Sequence, residues 1–501
     1  MEMADYDVIV IGAGCGGISA GALLAKQGRK VLVLEQSDRV GGCCSTFERD
    51  GYHFDVGASI VEVIHPIRKA FELLGTTFEE EVDLVLCDPI YSYIFEDGSR
   101  INYPLSLEGT AEVISRISPE DGKQWFRLAD YFADMMRQTI ETFFTNPCNG
   151  FLDMVKMGTR NPRMLKFLPL FFRSYQDVIL KYFKNDIVQQ TMSFQSFYCG
   201  LPPELAPGFI ALIPYSEHEG IWYPRGGMIQ IPQAFRRLGE RLGMEVRLNT
   251  RVDKVLVRKR RAEGVRLADG TEITSDLVVS NVNAKKLYLE MIGEEHLPWL
   301  ARYGIKSYEV SMSCVMLYVG VDYRPPLEAH HSLTIGPLQM MNDFWWNEFR
   351  KGKIPERVHG LICWPTESDP SLAPEGHHVL NIMGMGPYKL EGTDWDREKQ
   401  RVAERMIHGL SERAIPGLED HVTVLEVSTP LDFERRLLSP GGAIYGLQMD
   451  LPAQAVFRPA ARSKSIRGLY LTGASTHPGG GVPSTVASGL IASKLIEKYE
   501  G

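Results

Sequence analysis

The sequence lacks an excess of positive charge. Its 54 lysines and arginines are outnumbered by 63 aspartates and glutamates, and the formal net charge is -9. Proteins that bind nucleic acid generally carry a basic patch or an overall basic charge. The sequence therefore gives no indication of a nucleic-acid partner.

The chain also lacks a long uninterrupted apolar run. A helix that spans a bilayer needs roughly 20 consecutive apolar residues, and no stretch approaches that length. The first predicted strand begins within a few residues of Met1, which leaves no room for the charged, apolar and cleavage regions of a secretory signal peptide. We expect a cytoplasmic protein that contacts a membrane at most at its surface.

Cysteine is scarce, with eight residues in a chain of 501. The cysteines follow neither the spacing of zinc ligands nor the framework of a small disulfide-rich domain, so the sequence predicts no metal site and fits the reduced thiols of a cytosolic protein. The vicinal pair Cys43 and Cys44 follows two glycines. A redox-active pair and two small buried apolar side chains both fit that position.

The start of the chain carries the pattern of a dinucleotide-binding βαβ unit. The apolar residues 8–11 predict a buried parallel strand, residues 18–25 a packed helix and residues 30–34 a second strand. Gly12, Gly14 and Gly17 lie between the first strand and the helix with G-x-G-x-x-G spacing. Strand, glycines, helix and second strand agree, which makes this motif more specific than a glycine triad alone.

Each residue of this motif has a physical role. Gly12 allows the tight turn, Gly14 lets a pyrophosphate approach the backbone, and Gly17 permits close packing of the helix. The helix N-terminus offers free N–H groups and a partial positive charge to the phosphates. Glu35 ends the second strand, where a carboxylate binds the ribose. The motif by itself holds either NAD or FAD.

Gly41 and Gly42, with the residues that follow them, resemble the second cofactor segment of the amine oxidase and phytoene desaturase superfamily. In that family the paired glycines line the diphosphate and ribityl chain of FAD. Many members carry an arginine next, where this chain has Cys43. With Thr-Phe at 46–47 and Phe-Asp at 54–55, this version is more similar to the carotenoid isomerase and retinol saturase branches.

Two later segments carry the same resemblance. Residues 222–232 are similar to the Tyr-Pro-x-Gly-Gly-Met segment of phytoene desaturase-like proteins. The apolar pattern of residues 245–257 predicts a strand, and the resemblance implies that Val252 in it lies where backbone amides meet the adenine. Residues 465–493 resemble the C-terminal FAD motif of bacterial-type phytoene desaturases. The resemblance implies that Gly473 faces the diphosphate and ribityl chain. It places three residues beside the isoalloxazine: Gly481, Val482 and Pro483.

The family implies an α/β fold: a doubly wound, Rossmann-like FAD-binding domain with an inserted α+β substrate domain and a helical region. The second glycine pair and the C-terminal cradle argue for FAD rather than NAD. We predict an FAD-binding domain built from residues 1–66, 221–283 and 431–501, and a substrate domain built from residues 67–220 and 284–430.

Two parts of the predicted substrate domain leave alternatives open. Residues 154–184 interleave apolar and aromatic side chains with lysines and arginines, which fits either a segment at a membrane interface or a helical cap with its cations in water. Residues 311–349 are rich in methionine and aromatic groups, including Trp345 and Trp346. That composition fits an apolar ligand tunnel and a plain core equally well.

The resemblance implies desaturation of a long isoprenoid or carotenoid, with hydride passing from an allylic carbon to flavin N5. We assign no catalytic side chain, and His477, near the expected flavin ring, fits a structural role better. The alternatives are a flavin-dependent carotenoid isomerase or retinol-type saturase, an amine oxidase, and a non-catalytic prenyl-lipid binding protein like the Rab GDP-dissociation inhibitors. The sequence does not predict an oligomeric state.

Overall fold

A computed structural model of the chain describes residues 4–148, 151–355, 359–450 and 457–501. Within the helix Phe151–Arg160, five side chains lie outside the described residues, among them three that belong to the predicted membrane-interface segment, Met154, Met157 and Arg160. Two seven-stranded sheets form the framework of the described part of the chain, and helices cover them.

In chain order the strands are Tyr6–Ile11 (β1), Val31–Leu34 (β2), Thr46–Arg49 (β3), Tyr52–Asp55 (β4), Leu84–Leu86 (β5), Tyr91–Ile94 (β6), Arg100–Tyr103 (β7), Trp222–Pro224 (β8), Glu245–Arg247 (β9), Val252–Arg258 (β10), Arg261–Leu267 (β11), Glu272–Ser280 (β12), Ser313–Val321 (β13), His331–Thr334 (β14), Gly360–Cys363 (β15), His378–Gly386 (β16), Val422–Ser428 (β17) and Leu469–Leu471 (β18). The longer helices are Cys15–Lys26, His65–Leu74, Leu107–Ile117, Pro119–Thr145, Phe151–Arg160, Tyr175–Tyr182, Gln230–Arg241, Trp299–Ser307, Trp395–Arg413, Pro430–Leu437 and Val482–Glu500. Shorter α-helices are Phe78–Glu81, Asp186–Thr191, Ile213–Ser216, Ala284–Lys286, Leu338–Asp343 and Pro365–Ser368.

The first sheet has the strand order β10-β11-β12-β1-β2-β9, and β18 also pairs with β12. The parallel part of this sheet consists of β18, β12, β1, β2 and β9. The strands β10 and β11 extend the sheet as an antiparallel meander, in which β11 pairs with β12. Residues 8–11 of β1 and all of β2 are apolar and buried, because helices cover both faces of such a sheet. The predicted α/β class with a Rossmann-like unit is confirmed.

One strand prediction is wrong. Residues 245–257 read as a single strand, but the structure has two strands, β9 and β10, on opposite edges of the first sheet. The chain turns between them at Asn249, whose φ is +50°. The N–H groups of Asn249 and Thr250 donate to the carbonyls of Ser37 and Glu35 at 2.9 and 2.7 Å. The turn thereby brings the start of β10 next to Glu35.

The second sheet has the strand order β17-β13-β16-β15-β14-β6-β7 and is antiparallel except between β14 and β6. All nine residues of β13 are buried, because the helix Trp395–Arg413 packs on one face and the main hydrophobic core on the other. This sheet lies within the segments predicted to form the substrate domain. The domain boundaries themselves stay a prediction.

The helical region between the two halves of this sheet leaves apolar side chains in water. The fractional exposure of Leu165 is 56% and that of Phe172 is 75%, and Arg163 and Arg173 beside them are exposed as well. Among the described residues, the structure contains no helix long and apolar enough to cross a membrane.

Candidate functional site

A cleft of about 480 Å³ opens at the carboxyl ends of the parallel strands in the first sheet. Ligands of open α/β sheets bind at this edge, where the loops that follow neighbouring strands diverge. A second cleft, of about 460 Å³, lies against the other sheet, and none of the predicted site residues lines it. The predicted residues that line the first cleft are Gly12, Gly14, Glu35, Gly42 and Val252.

The first glycine turn is as tight as its spacing indicates. Gly12 has a φ of +90°, and a Cβ atom on Gly17 would lie 2.0 Å from the Gly12 carbonyl oxygen. A Cβ atom on Gly14 would lie 2.5 Å from the side-chain nitrogen of Asn281. The helix that follows has neither a side-chain cap nor an acidic residue in its first turn. Its N–H groups are therefore available to an anionic ligand.

Glu35 is held at the edge of the cleft by backbone donors. Its Oε2 accepts from the N–H of Ala13 at 2.7 Å, and its Oε1 accepts from the N–H of Ser37 at 2.9 Å. The side chain is buried, and these two bonds orient the carboxylate at the end of β2. This is the position of the ribose-binding acid in dinucleotide sites.

The second glycine pair packs directly on the first turn. Gly41, with a φ of +111°, donates its N–H to the Ala13 carbonyl at 2.9 Å and forms a bridge with Gly14. Cys44 donates its thiol to the Met228 carbonyl at 3.3 Å, and burial raises the pKa of Cys43 to about 11. Both observations favour small buried side chains over a redox-active thiolate pair.

The C-terminal glycine loop, residues 473–481, comes close to the same turn. Gly473 has a φ of +81° and donates its N–H to Ser488 Oγ at 2.7 Å, and a Cβ atom on Gly16 would lie 2.7 Å from the Gly473 nitrogen. Gly481 is exposed at the start of the last helix, whereas Val482 and Pro483 are buried. None of these four predicted residues lines the 480 Å³ cleft.

Asn281, which the sequence analysis did not single out, joins the two glycine segments. Its N–H donates to the Ile11 carbonyl at 2.9 Å. Its side chain lies between Gly14 and Gly473, since a Cβ atom on Gly473 would be 2.4 Å from its Oδ1. The signal for it is its position as the first residue after the buried strand β12, at the edge of the sheet where the cleft opens.

Two other buried side chains fix the C-terminal glycine loop. Arg458 donates to the carbonyls of Ala474 and Leu447 at 2.6 and 2.9 Å, and burial lowers its pKa to about 10. His477 pairs through Nε2 with the Phe143 carbonyl at 2.8 Å, and burial lowers its pKa to about 4. A neutral imidazole that donates to a backbone carbonyl supports the structural interpretation of His477.

The hairpin of β3 and β4 connects the cleft to the second sheet. Phe47 packs edge-on against Tyr318 of β13, with ring centres 4.9 Å apart, and both residues line the cleft. At the open end of the hairpin, one residue pair from Phe47, Asp55 accepts hydrogen bonds from Thr46 and from the segment that begins with β8. Asp55 is therefore a polar anchor between the hairpin and β8.

Two acids lie inside the core without full compensation. Oxygen atoms of Glu62 and Glu217 are buried with no hydrogen-bond partner among the described residues, although Gln195 donates to the other oxygen of Glu217 at 3.3 Å. Burial raises the pKa of Glu62 to about 8. Burial, followed by repulsion from Glu62, raises the pKa of Glu217 well above its usual range, and Tyr91 and Tyr198 adjoin both acids.

These two acids make stability fall with rising pH. A carboxyl group whose pKa is raised in the folded state contributes stability that is complete below its unfolded pKa of 4.5 and is lost as the pH rises through about 8. We expect Glu62→Gln, which stays neutral, to flatten a melting temperature profile between about pH 5 and pH 8. The expected gain at the alkaline end is on the order of 2 kcal/mol, below the full value of the shift because Glu62 is only half-buried.

The matched control is Glu497→Gln on the exposed face of the last helix, which should leave the pH profile unchanged. A profile of Glu62→Gln parallel to that of the wild type would contradict the assignment of the slope to this pair.

A family model described as flavin containing amine oxidoreductase matches residues 15–496 of the chain. Among named relatives, a neurosporene-forming phytoene desaturase from Rhodobacter capsulatus is 32% identical and covers 97% of this chain and 93% of its own. A 4,4'-diapolycopene oxygenase from a Methylomonas species is 29% identical and covers 98% of both chains.

Solved structures share the fold at low sequence identity. A putrescine oxidase with bound putrescine superposes with a TM-score of 0.64 at 16% identity, over 98% of this chain and 99% of its own. An oxidoreductase from Methanosarcina mazei gives a TM-score of 0.63 at 16% identity, also over 98% of this chain and 99% of its own. Two sheets joined as described above are therefore a shared architecture.

Proposed function

The chain belongs to the flavin containing amine oxidoreductase family, and from that premise we propose that it binds FAD and desaturates a long, apolar carotenoid substrate. The observation that carries the cofactor assignment is the convergence of two glycine segments from opposite ends of the chain. Gly14 and Gly473 lie on the two sides of Asn281, beside a cleft that Glu35 lines. A dinucleotide needs this combination of bare backbone, helix N-terminus and ribose carboxylate.

Five of the predicted residues line the cleft and support the assignment of FAD to it: Gly12, Gly14, Glu35, Gly42 and Val252. Gly12 and Gly14 line the cleft without a side chain where a diphosphate would lie, and Val252 lines the same cleft beyond Glu35. We assign the diphosphate and ribityl chain to Gly41, Gly42 and Gly473. We assign the isoalloxazine to the N-terminus of the last helix, where Gly481 is the N-cap and Val482 and Pro483 are the first two residues. No acidic side chain lies in the first turn of this helix.

The substrate assignment comes from the relatives and from the second sheet. Full-length relatives are named as phytoene desaturases that form neurosporene, ζ-carotene or lycopene. Most residues of β13 and β16 are buried and apolar, with Ser313, Tyr318, His378 and Asn381 as the polar exceptions, which suits a substrate that is largely apolar. This protein would act on the same class of polyene.

In this proposal the bound flavin supplies the hydride acceptor. The chain's own residues bind and orient the cofactor and the substrate, and they exclude water from the site. Glu35 and the glycine turns fix the cofactor, and Arg458 and His477 hold the C-terminal loop that would carry its reactive ring. The aromatic pair Phe47 and Tyr318 lines the cleft where it meets the second sheet.

The decisive experiment is anaerobic mixing of the purified full-length protein with phytoene in liposomes, followed by flavin absorbance and product chromatography. We expect bleaching of the flavin together with products of longer conjugation. Conversion of lycopene isomers or retinol only after prior reduction of the flavin would favour an isomerase or saturase, and oxygenated products would favour an oxygenase. A purified protein without flavin absorbance would overturn the enzyme proposal and favour a prenyl-lipid binding protein.

Replacement of Glu35 should weaken cofactor retention. A hydrogen bond to a charged group is worth about 1.5–3 kcal/mol, so we expect Glu35→Ala to bind FAD roughly tenfold to a hundredfold more weakly, and Glu35→Gln to lose less because its amide oxygen still accepts from Ala13. Flavin fluorescence during equilibrium dialysis measures the loss. Glu272→Ala, on the exposed end of β12, is the control. Equal retention in Glu35→Ala and wild type would refute the ribose assignment.

We also propose that the exposed apolar residues at 165–172 rest on the surface of a membrane, where an apolar polyene dissolves. Leu165 and Phe172 offer apolar surface beside the cations Arg163 and Arg173. We expect the double variant Leu165→Ser with Phe172→Ser to float with anionic vesicles at least about tenfold less than the wild type, because each exposed side chain contributes about 1.5 kcal/mol or more on burial. Leu242→Ser, at an exposed site outside this segment, is the control, and an equal loss there would contradict the proposal.

A further inference from the structure

Four side chains with soft or borderline ligand atoms meet where β5 adjoins the second sheet. Cys87 follows β5, His330 and His331 stand at the start of β14, and Cys363 ends β15. One ligand atom each from Cys87, His330 and His331 lies within 4.8 Å of the others. Cys363 Sγ lies 3.2 Å from His330 Nε2, and β14 and β15 pair so that His331 faces Cys363. All four residues are buried.

Hydrogen bonds orient both imidazoles toward this cluster. His331 pairs through Nε2 with the carbonyl oxygen of Ser59 at 3.0 Å, which fixes the proton on Nε2 and leaves a lone pair on Nδ1. That Nδ1 atom is buried and has no hydrogen-bond partner among the described residues. His330 pairs through Nδ1 with Ser368 Oγ at 2.6 Å, which leaves Nε2 toward Cys363. A histidine that engages a carbonyl or hydroxyl through one nitrogen presents the other as a metal ligand.

We propose that Cys87, His330, His331 and Cys363 form a structural zinc site. Two thiolates and two imidazoles are a complete tetrahedral ligand set for Zn²⁺, in which ligand atoms lie roughly 3.5 Å apart. The Cys363 Sγ to His330 Nε2 distance of 3.2 Å is close to that value, and the ligand atoms of Cys87 and the two histidines lie within 4.8 Å of one another. Each thiol loses its proton as its Zn–S bond forms, so two protons are released, two negative charges balance the dication, and no oxidant or reductant takes part. The resulting site is neutral, as a buried site must be.

The position of the cluster indicates what the metal would hold together. The N–H of Cys87 donates to the Ile221 carbonyl at 2.9 Å, next to β8, and the ring of Tyr223 in β8 stacks near His330 with centres 4.6 Å apart. Through Cys87, zinc would connect β5 and its partner strand β8 to the paired strands β14 and β15. Through His331, it would also connect the segment at Ser59 to these strands. Four protein ligands leave no open position for substrate, so the role is structural and independent of the proposed desaturation.

The test uses the full-length protein produced in zinc-supplemented medium and analysed by plasma mass spectrometry. We expect about one zinc per chain, release of about two protons per zinc on titration of chelator-treated protein, and, with Co²⁺ alone as the probe, a tetrahedral visible spectrum with thiolate charge-transfer bands. Cys363→Ser and His331→Gln should each abolish the cobalt spectrum of that type. Cys314→Ser, at another buried free cysteine, is the matched control and should leave it unchanged.

A variant beside the cluster covers the case in which loss of a ligand prevents folding. Ser368→Ala removes the hydroxyl that holds His330 and should lower zinc affinity about tenfold to a hundredfold while the chain still folds. Absence of zinc together with a featureless cobalt titration of the wild type would overturn the proposal. So would a loss of metal in Cys314→Ser equal to that in Cys363→Ser.

Discussion

Gly17→Ala is expected to yield a protein without bound flavin. The added Cβ atom would lie 2.0 Å from the carbonyl oxygen of Gly12 and 3.1 Å from Asn281, so the helix Cys15–Lys26 must move away from β1. Neither neighbour can yield cheaply, because one is backbone and the other supports both glycine segments. Overpacking of this severity costs about 3 kcal/mol or more. The displaced helix N-terminus would no longer present its N–H groups to the cofactor.

The measurement is flavin per chain from the absorbance of acid-released cofactor, together with the melting temperature. Gly409→Ala is the matched control, because Gly409 also lies within a helix and its added Cβ atom would meet nothing within 4 Å. That substitution should raise stability by up to about 1 kcal/mol, since alanine favours the helix. A Gly17→Ala protein that keeps wild-type flavin content and melting temperature would show that the turn at Gly12 is not the constraint described.

Features that depend only on residues close together in the sequence were predictable from the sequence. Gly12, Gly14 and Gly17 lie within six consecutive residues, and their spacing alone indicates the close helix packing that the structure contains. Glu35 follows from the same unit, because a strand of four apolar residues places the next residue at the edge of the sheet. The fold class followed as well, since β1 and β2 had to be parallel and buried on both faces.

Features that depend on distant partners were not predictable from spacing. Asn281 looks like any polar residue after a strand until β12 is known to lie beside β1. The predicted strand at 245–257 is broken because its two halves pair at opposite edges of the sheet, which no local propensity reveals. The cysteines at 87 and 363 have no zinc spacing along the chain. They meet the two histidines only because β5, β14 and β15 converge.

The same convergence explains how a cofactor site and a second sheet that are separate in sequence act together. The hairpin of β3 and β4 starts at the second glycine pair and packs on β13 through Phe47. Its last residue, Asp55, accepts hydrogen bonds from the Tyr223 hydroxyl in β8 and from the Met228 N–H shortly after β8. The second sheet meets this hairpin through the Phe47–Tyr318 contact and through the Tyr318 hydroxyl, which donates to the Val56 carbonyl at 2.6 Å, while Asp55 joins the hairpin to β8.

Asp55→Ala is expected to be among the most destabilising substitutions in the chain. Asp55 is 1% exposed, and its oxygens accept from Thr46 Oγ1 at 2.7 Å, from the Met228 N–H at 2.8 Å and from the Tyr223 hydroxyl at 2.6 Å. Alanine leaves all three donors buried without an acceptor, at about 1–3 kcal/mol each. The sum is a large fraction of the roughly 5–15 kcal/mol that holds a protein folded. We expect aggregation during expression or a melting temperature lowered by many degrees.

Asp55→Asn separates hydrogen bonding from charge. The amide oxygen can still accept from Thr46 and Met228, and the Tyr223 hydroxyl can turn to accept from the amide nitrogen, so this variant should lose only about 1 kcal/mol. Burial raises the pKa of Asp55 to about 6 despite its three donors, so the wild-type carboxyl is protonated below that pH and then resembles asparagine. The folded-state pKa is raised above the unfolded value of 3.8, so the wild type gains stability as the pH falls through about 6, whereas Asp55→Asn does not titrate. The advantage of the wild type over Asp55→Asn in melting temperature should therefore grow between about pH 6 and pH 4, while Asp55→Ala stays far less stable throughout. Glu375→Ala, which removes an exposed acid far from this hairpin in sequence, is the control and should match the wild type at every pH. If Asp55→Asn were as unstable as Asp55→Ala, charge rather than the three hydrogen bonds would join the hairpin to β8, and the anchor would have to be ionic.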